Sequence, residues 1–342
     1  MNDVVPARGS RRSRGAAAVS AVTVRQISRL VPPELAWGMW LSRRIIAGIM
    51  GTLGPSLAGT RVEQVNTVTP DGRRVRGEWV YGPRNRSLTG NGDGTGTGTG
   101  GVIYYLHGSS YTMCSPRTHR RLTSWLSSLT GLPVFCVEYR LAPRHRFPTA
   151  ADDVRAGWDW VLETCGLPPE RIAIAGDSAG GHLAVDLLLQ PEVAAKHPAA
   201  AVLFSPLFDL TFALCAASER IRRDPTIRAA TAARVVGLYH AGIDPAHHRL
   251  KLDVAAGPAF PPTLIQAGGA EMLQGDARQL ADEIRAAGGS CELQVWPHQL
   301  HVFQALPKIA PEAAKAMAYA AGFIANSLCG NAENALVKDK AG

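Results

Sequence analysis

The sequence contains no C-x-x-C pair. Its six cysteines, Cys114, Cys136, Cys165, Cys215, Cys291 and Cys329, are scattered, several of them in apolar stretches where a free thiol packs as a small hydrophobe. This predicts a reducing compartment, and the histidines show no metal-ligand spacing, so no metal site is expected. Long apolar runs are also missing. Stretches such as Ala199 to Phe204 and Ala316 to Ala325 fall far short of the roughly 20 residues a spanning helix needs, which excludes a transmembrane segment. No internal repeat is evident.

Acidic residues are scarce at the start of the chain. Residues 1–30 hold six arginines, Arg8, Arg11, Arg12, Arg14, Arg25 and Arg29, against Asp3 alone, so most of the formal charge of +8 over 342 residues sits there. The body is nearly neutral, and the basic segment lacks aromatic interleaving and a recognisable binding module, so no nucleic-acid partner is expected. Residues 1–21 read as a solvated, disordered tail that leaves weak contact with an anionic membrane surface open. Arg11-Arg12 followed by Gly15 to Val24 outlines a twin-arginine export signal, but the apolar stretch is short and ends at Arg25. A cytoplasmic location is the expectation, with export or cell-envelope association as the alternative. Residues 329–342 are expected to be a disordered C-terminal tail.

With 46% hydrophobic and 19% charged residues, the chain can bury a sizeable core. Bulky apolar residues from Val22 to Met50 recur at helical spacing, broken by Pro32-Pro33 and Gly51 to Pro55. Residues 62–68 and 74–80 alternate around Pro70-Asp71-Gly72, a β-hairpin signature. Gly90 to Gly101 is low-complexity and reads as a flexible surface insertion; with no G-K-[ST] after it, it is not a phosphate loop. Beyond it, strands predicted at 102–106, 133–137, 171–175, 200–204, 263–267 and 292–296 are interleaved with helices at about 152–164, 179–189, 277–287 and 311–328. Such β-α-β alternation predicts an α/β fold with a mostly parallel sheet covered on both faces. A helical interruption at about 210–254 would stand outside the sheet as part of a cap.

The strongest local signal is Gly176-Asp177-Ser178-Ala179-Gly180-Gly181, between a predicted strand and a predicted helix. A serine between small residues at such a turn can hold a strained backbone and project its hydroxyl above the sheet, near the positive end of the next helix. Ser178 is therefore the candidate nucleophile; the plainer alternative is a serine that caps the helix. A serine hydroxyl needs a base, usually an imidazole oriented by a carboxylate, and in this topology both follow the serine in the chain. The loop after the strand at 263–267 offers Glu271 and Asp276. Asp276 precedes Ala277 with Gln279 three residues on, a capping-box arrangement, which leaves Glu271 as the favoured acid. The loop after the strand at 292–296 offers His298 and His301. His107-Gly108-Ser109-Ser110-Tyr111, following the strand at 102–106, is a turn whose N–H groups, with that of Ala179, could hold a tetrahedral oxyanion.

Four blocks together resemble the hormone-sensitive-lipase-like branch of the α/β-hydrolase esterases: H-G-S-S-Y at His107, E-Y-R-L-A-P-R-H-R-F-P from Glu138, G-D-S-A-G-G at Gly176, and E-M-L-Q-G-D with H-V-F-Q near the end. The resemblance spans about residues 60–328. It implies an α/β-hydrolase core over 61–328, N-terminal cap helices over 22–60, and a small-molecule ester as substrate, with no cofactor and a monomer or homodimer as the assembly. By the same resemblance, Glu271 falls on the family's acid, His301 on its base, and Ser109, Ser110 and Ala179 on its oxyanion donors, helped by the turn at Gly108. Trp37, Trp40, Leu41 and Tyr111 become candidates for the substrate pocket, the alternative being that the cap residues pack against the core. Serines at 109 and 110 replace the family's glycines. The expected activity is cleavage of short to medium acyl esters through an acyl-enzyme. Amide or N-acetyl hydrolysis, and a non-catalytic binding role, are the alternatives.

Overall fold

The protein is described by a computed structural model covering residues 4–83, 100–108 and 110–339, with side chains through Cys329. Three helices lead the chain, α1 (Arg11–Val22), α2 (Val24–Leu30) and α3 (Ala36–Leu53), followed by the hairpin β1 (Arg61–Val68) and β2 (Arg74–Tyr81). The core then runs β3 (Val102–Leu106), α4 (Pro116–Thr130), β4 (Val134–Val137), α5 (Thr149–Cys165), β5 (Ile172–Asp177), α6 (Ala179–Leu188), α7 (Pro191–Ala194) and β6 (Ala200–Phe204). It closes with α8 (Ala213–Ile221), α9 (Ala229–His240), β7 (Thr263–Gly268), α10 (Gln274–Ala286), β8 (Cys291–Trp296) and α11 (Glu312–Asp339).

The strands form one sheet in the order β1-β2-β4-β3-β5-β6-β7-β8, in which β2 is antiparallel to both neighbours and every later pair is parallel. Central strands β3, β5 and β6 are buried along their whole length, which is why they read as unbroken apolar runs; helices shield both faces. Parallel strands all deliver their C-terminal turns to one edge. The turns after β3, β5, β7 and β8 therefore share that edge, and it is there that the candidate residues lie.

Three sequence expectations require correction. The tail 1–21 is helical from Arg11. Ser10 caps α1 by accepting the Ser13 N–H (3.1 Å), and Ser13 Oγ donates to Glu312 Oε2 (2.6 Å), a local polar anchor that composition does not reveal. Val4 and Val5 pack beside Trp296 and Phe303. The C-terminal segment 329–342 is likewise not a disordered tail in its described part, since α11 continues to Asp339. The chain also holds a helix, α4, where the sequence pattern predicts none. Its serines and threonines hide the periodicity of Leu122 and Leu126, yet Ser115, Pro116 and the left-handed Gly131 punctuate both ends. Of the insertion 90–101, residues 90–99 lie outside the described residues.

Between β6 and β7 the chain leaves the sheet for α8 and α9. This excursion meets the N-terminal helices: Arg25 donates to Glu219 (3.0 Å) and to the carbonyls of Asp224 and Ile227, and Glu34 pairs with Arg234 (3.2 Å).

Candidate active site

Ser178 stands between β5 and α6 with φ +52°, ψ −121°, a strained conformation for a residue with a side chain. The glycines around it permit this. A Cβ on Gly180 would lie 2.0 Å from the Leu106 carbonyl oxygen, so only glycine lets α6 start this close to β3. The Ser178 N–H donates to the Phe204 carbonyl (3.0 Å), and its own carbonyl accepts from Leu207 (3.0 Å). Ala179 opens α6, where the helix geometry supplies its N–H with no intrahelical acceptor.

Glu271 and His301 meet. The Nδ1–H of His301 donates to Glu271 Oε2 at 2.5 Å, and Oε1 of the same carboxylate accepts the Gly268 N–H at 2.6 Å. The Glu271 side chain is fully buried whereas that of His301 is 29% exposed, so the acid is shielded and the base can be approached. Burial works against a charged imidazole at His301. The field and hydrogen bond of Glu271, with Asp224 and Asp177 further off, outweigh it and raise the His301 pKa above its ordinary value. The next residue, Val302, donates its N–H to Ser205 Oγ (3.1 Å). The turn Phe204–Leu207 thus bonds both the Ser178 backbone and the His301 loop.

His298, the other histidine of that loop, is spent elsewhere. Its Nδ1 accepts the Gly9 N–H (3.3 Å), and burial together with Arg222, Arg14 and Arg8 lowers its pKa. Asp276 is not the helix cap expected of it. Since α10 begins at Gln274, Asp276 faces inward, where Oδ1 accepts the N–H groups of Phe208 and Asp209 (2.9 Å each) and Oδ2 the Cys215 thiol (3.3 Å).

The turn after β3 needs one revision. The Gly108 N–H donates to Asp177 Oδ1 (2.9 Å), so it is already committed and is not a free oxyanion donor. What Gly108 provides is room, because a Cβ there would lie 2.1 Å from Asp177 Oδ2. Ser110 follows with φ +49°; Ser109 lies outside the described residues. Asp177 itself is not singled out by the sequence pattern. It also accepts from Tyr105 Oη (2.7 Å) and His119 Nε2 (3.3 Å), and although burial alone would raise its pKa, His119 and these donors more than offset that and lower it. The only sequence signal is its place beside the serine.

Tyr111 is fully buried, stacked on Tyr239 with centroids 4.0 Å apart and edge-on to His182. Leu41 is half-buried. Trp37 and Trp40 are 55% and 59% exposed, so they do not pack the cap against the core. A groove of about 600 Å³ runs between α3 and the 138–145 segment, with Trp40, Arg43, Cys114 and Tyr139 in its wall; Ser178, Glu271 and His301 do not line it.

Comparison with known proteins agrees with this architecture. The family described as the alpha/beta hydrolase fold matches residues 103–305. The carboxylesterase/phospholipase LipF of Mycobacterium tuberculosis is 36% identical over 238 residues, 66% of this chain and 62% of that protein, so the chain aligns with somewhat under two thirds of that relative's length. An acetyl-hydrolase of Streptomyces hygroscopicus is 36% identical over 226 residues, 66% of this chain and 75% of its own. A crystal structure of an esterase from the bacterial hormone-sensitive lipase family superposes with a TM-score of 0.77 at 29% identity, covering 93% of this chain and 99% of that one. With a parallel sheet whose turns carry these residues, and with relatives matched in sequence and in structure, the chain belongs to the alpha/beta hydrolase fold family, in its hormone-sensitive-lipase-like branch.

Proposed function

We propose that the protein is a carboxylic ester hydrolase acting on short to medium acyl chains through a Ser178 acyl-enzyme. The observation that carries this reading is the 2.5 Å hydrogen bond from His301 to a buried carboxylate, on the same sheet edge as a serine at a strained strand-to-helix turn. In this reading Ser178 Oγ attacks the ester carbonyl while His301 Nε2 takes its proton. Glu271 holds the imidazole in the tautomer with Nδ1 protonated and stabilises the imidazolium that forms. The tetrahedral oxyanion is held by the N–H of Ala179 and by those of the turn at Ser109 and Ser110. His301 then returns the proton to the leaving alcohol, and water, activated in the same way, releases the acid. Relatives named carboxylesterase and acetyl-hydrolase support the ester class.

The test is steady-state hydrolysis of p-nitrophenyl acetate through decanoate, with p-nitroacetanilide as the amide counterpart, by wild type and Ser178→Ala. The expected result is an optimum among the shorter esters and a loss on the order of 10⁵-fold in kcat in the variant. Equal rates for the two proteins would overturn the role of Ser178, and faster anilide than ester turnover would move the substrate class to amides.

A further inference from the structure

The two cap tryptophans point away from the core, and they do not do so alone. Of the nine large hydrophobic residues most exposed among the described residues, seven lie between Val19 and Trp40. On α3 the division is by face. Met39, Ile46, Ile49, Met50 and Leu53 pack inward on Met113, Val235 and the α4 side of the core, whereas Trp37, Trp40 and Arg44 recur at i, i+3 and i+7 on the outer side. Arg44 lies over the Trp40 ring at 5.3 Å. Leu30 and Leu35, 77% and 51% exposed, extend the apolar surface towards α2, where Arg29 is also exposed.

The charge around this surface has one sign. Residues 4–53 contain eight arginines and a single acid, Glu34, and Glu34 is taken up by Arg234. Arg25 is engaged by Glu219, Arg14 is half-buried, and Arg43, though exposed, donates to the Thr112 carbonyl, which leaves Arg8, Arg11, Arg12, Arg29 and Arg44 outward. A second copy is a poor occupant for such a face, because a two-fold contact would set the patch against itself, arginine to arginine. Exposed tryptophan and leucine interleaved with arginine on short helices is instead the composition that seats at the boundary between headgroups and acyl chains, with negative headgroups neutralising the cations.

We infer that α2 and α3 form a docking surface for an anionic phospholipid membrane, with Leu30, Leu35, Trp37 and Trp40 entering the interface and Arg29 and Arg44 meeting the headgroups. The groove walled by Trp40 and Arg43 opens beside this surface, so seating would bring the groove mouth to the lipid. The surface lies outside Ser178, Glu271 and His301, and the inference does not rest on their chemistry.

The experiment is vesicle flotation of the full chain, using the Ser178→Ala protein beside wild type so that binding is read without turnover. Vesicles of phosphatidylcholine alone are compared with vesicles containing phosphatidylglycerol, at low and high salt. Binding is expected on the anionic vesicles, equal for wild type and Ser178→Ala and weakened by salt. Leu30→Ser/Trp37→Ser should weaken it at least roughly tenfold, and Arg29→Gln/Arg44→Gln roughly thirtyfold, while both keep the wild-type melting temperature. Unchanged partitioning in both double variants would overturn the inference, as would equal binding to neutral vesicles. So would a concentration-dependent dimer that Leu30→Ser/Trp37→Ser abolishes, which would assign the face to a second copy.

Discussion

The nucleophile side and the acid side of the site each hang on one buried aspartate that accepts N–H groups from a distant loop. Asp177, at the end of β5, takes the Gly108 N–H and so ties the turn after β3 to the serine. Asp276, in α10, takes the N–H groups of Phe208 and Asp209 and so ties the excursion after β6 to the acid loop. Both are almost fully buried, yet they titrate in opposite directions. Burial pushes each upward, but Asp177 has the field and hydrogen bond of His119 and the hydroxyl of Tyr105 to offset it, and falls below its ordinary value. Asp276 has only two amides and a thiol against burial and the like charge of Asp209, and rises to about 6. One fastening therefore serves two purposes: beside the serine it is a fixed anion, and under the cap it is a group that is cheaper to keep protonated.

Five residues before Asp276, in the loop that leads into α10, Glu271 bonds a histidine as well as the Gly268 backbone, and after the nucleophile itself its replacement gives the largest expected effect. Glu271→Gln should lower kcat on the order of 10⁴-fold, because the amide no longer fixes the tautomer or balances the imidazolium. It also removes the charge that raises the His301 pKa, so the acidic limb of kcat/KM, where the base is lost to protonation, should move to lower pH. A limb that stays put would remove Glu271 from its role. On the nucleophile side, Asp177→Ala frees the Gly108 N–H and loosens the oxyanion turn. The expectation is a fall in kcat on the order of 10²-fold with KM for a small acetate changed much less, and recovery of most of it in Asp177→Asn, which still accepts from Gly108 and Tyr105. If kcat and KM worsened together in both variants, the turn would be held by something else.

The nucleophile side is the more legible in the sequence, and the reason is physical. A strained turn requires small residues, so Gly176, Gly180 and Gly181 surround Ser178 in contiguous text, and fully buried strands are unbroken apolar runs. The acid side is assembled from pieces far apart in the chain. Glu271 and His301 can be ranked over Asp276 and His298 from loop position and family resemblance. What actually occupies Asp276 and His298, namely Phe208 and Gly9, lies 68 and 289 residues away and leaves no local pattern. The same holds for Ser13, whose bond to Glu312 orders a segment that composition reads as a tail. Trp37 and Trp40 read as pocket or packing residues because helical spacing shows that residues share a face, and not which way the face turns.

The opposite titrations can be tested on stability as well as on rate. A carboxyl whose folded pKa is about 6 against 3.8 unfolded binds its proton more tightly when folded, so it favours the folded state below pH 3.8 and loses that advantage as pH rises through 6. Asp276→Asn keeps an oxygen for Phe208 and Asp209 and cannot ionise. Its stability relative to wild type should therefore climb between pH 4 and pH 7 by up to about 3 kcal/mol, since each tenfold difference in proton affinity between the folded and unfolded chain is worth roughly 1.4 kcal/mol. Chemical denaturation across that range checks it, and a pH-independent difference would mean that Asp276 is charged at no cost.

The smallest expected effect concerns Ser110, which like Tyr111 and Cys114 in the turn after β3 has a left-handed backbone. Ser110 sits at φ +49°, where a side chain costs about 1 kcal/mol, but glycine at the same place would lose more entropy on folding, so Ser110→Gly should leave stability within about 0.5 kcal/mol. Its consequence lies in space over the oxyanion. Wild type is expected to be slow on esters of tertiary alcohols, and Ser110→Gly should raise the rate on tertiary-butyl acetate several-fold relative to ethyl acetate. Because Asp177 holds Gly108, and not Ser110, the turn should keep its place and the gain should appear in the ratio of the two substrates while the ethyl acetate rate stays near wild type. If both rates fell together, the serine side chain would be part of what positions the turn, and the nucleophile side would depend on Ser110 as well as on Asp177.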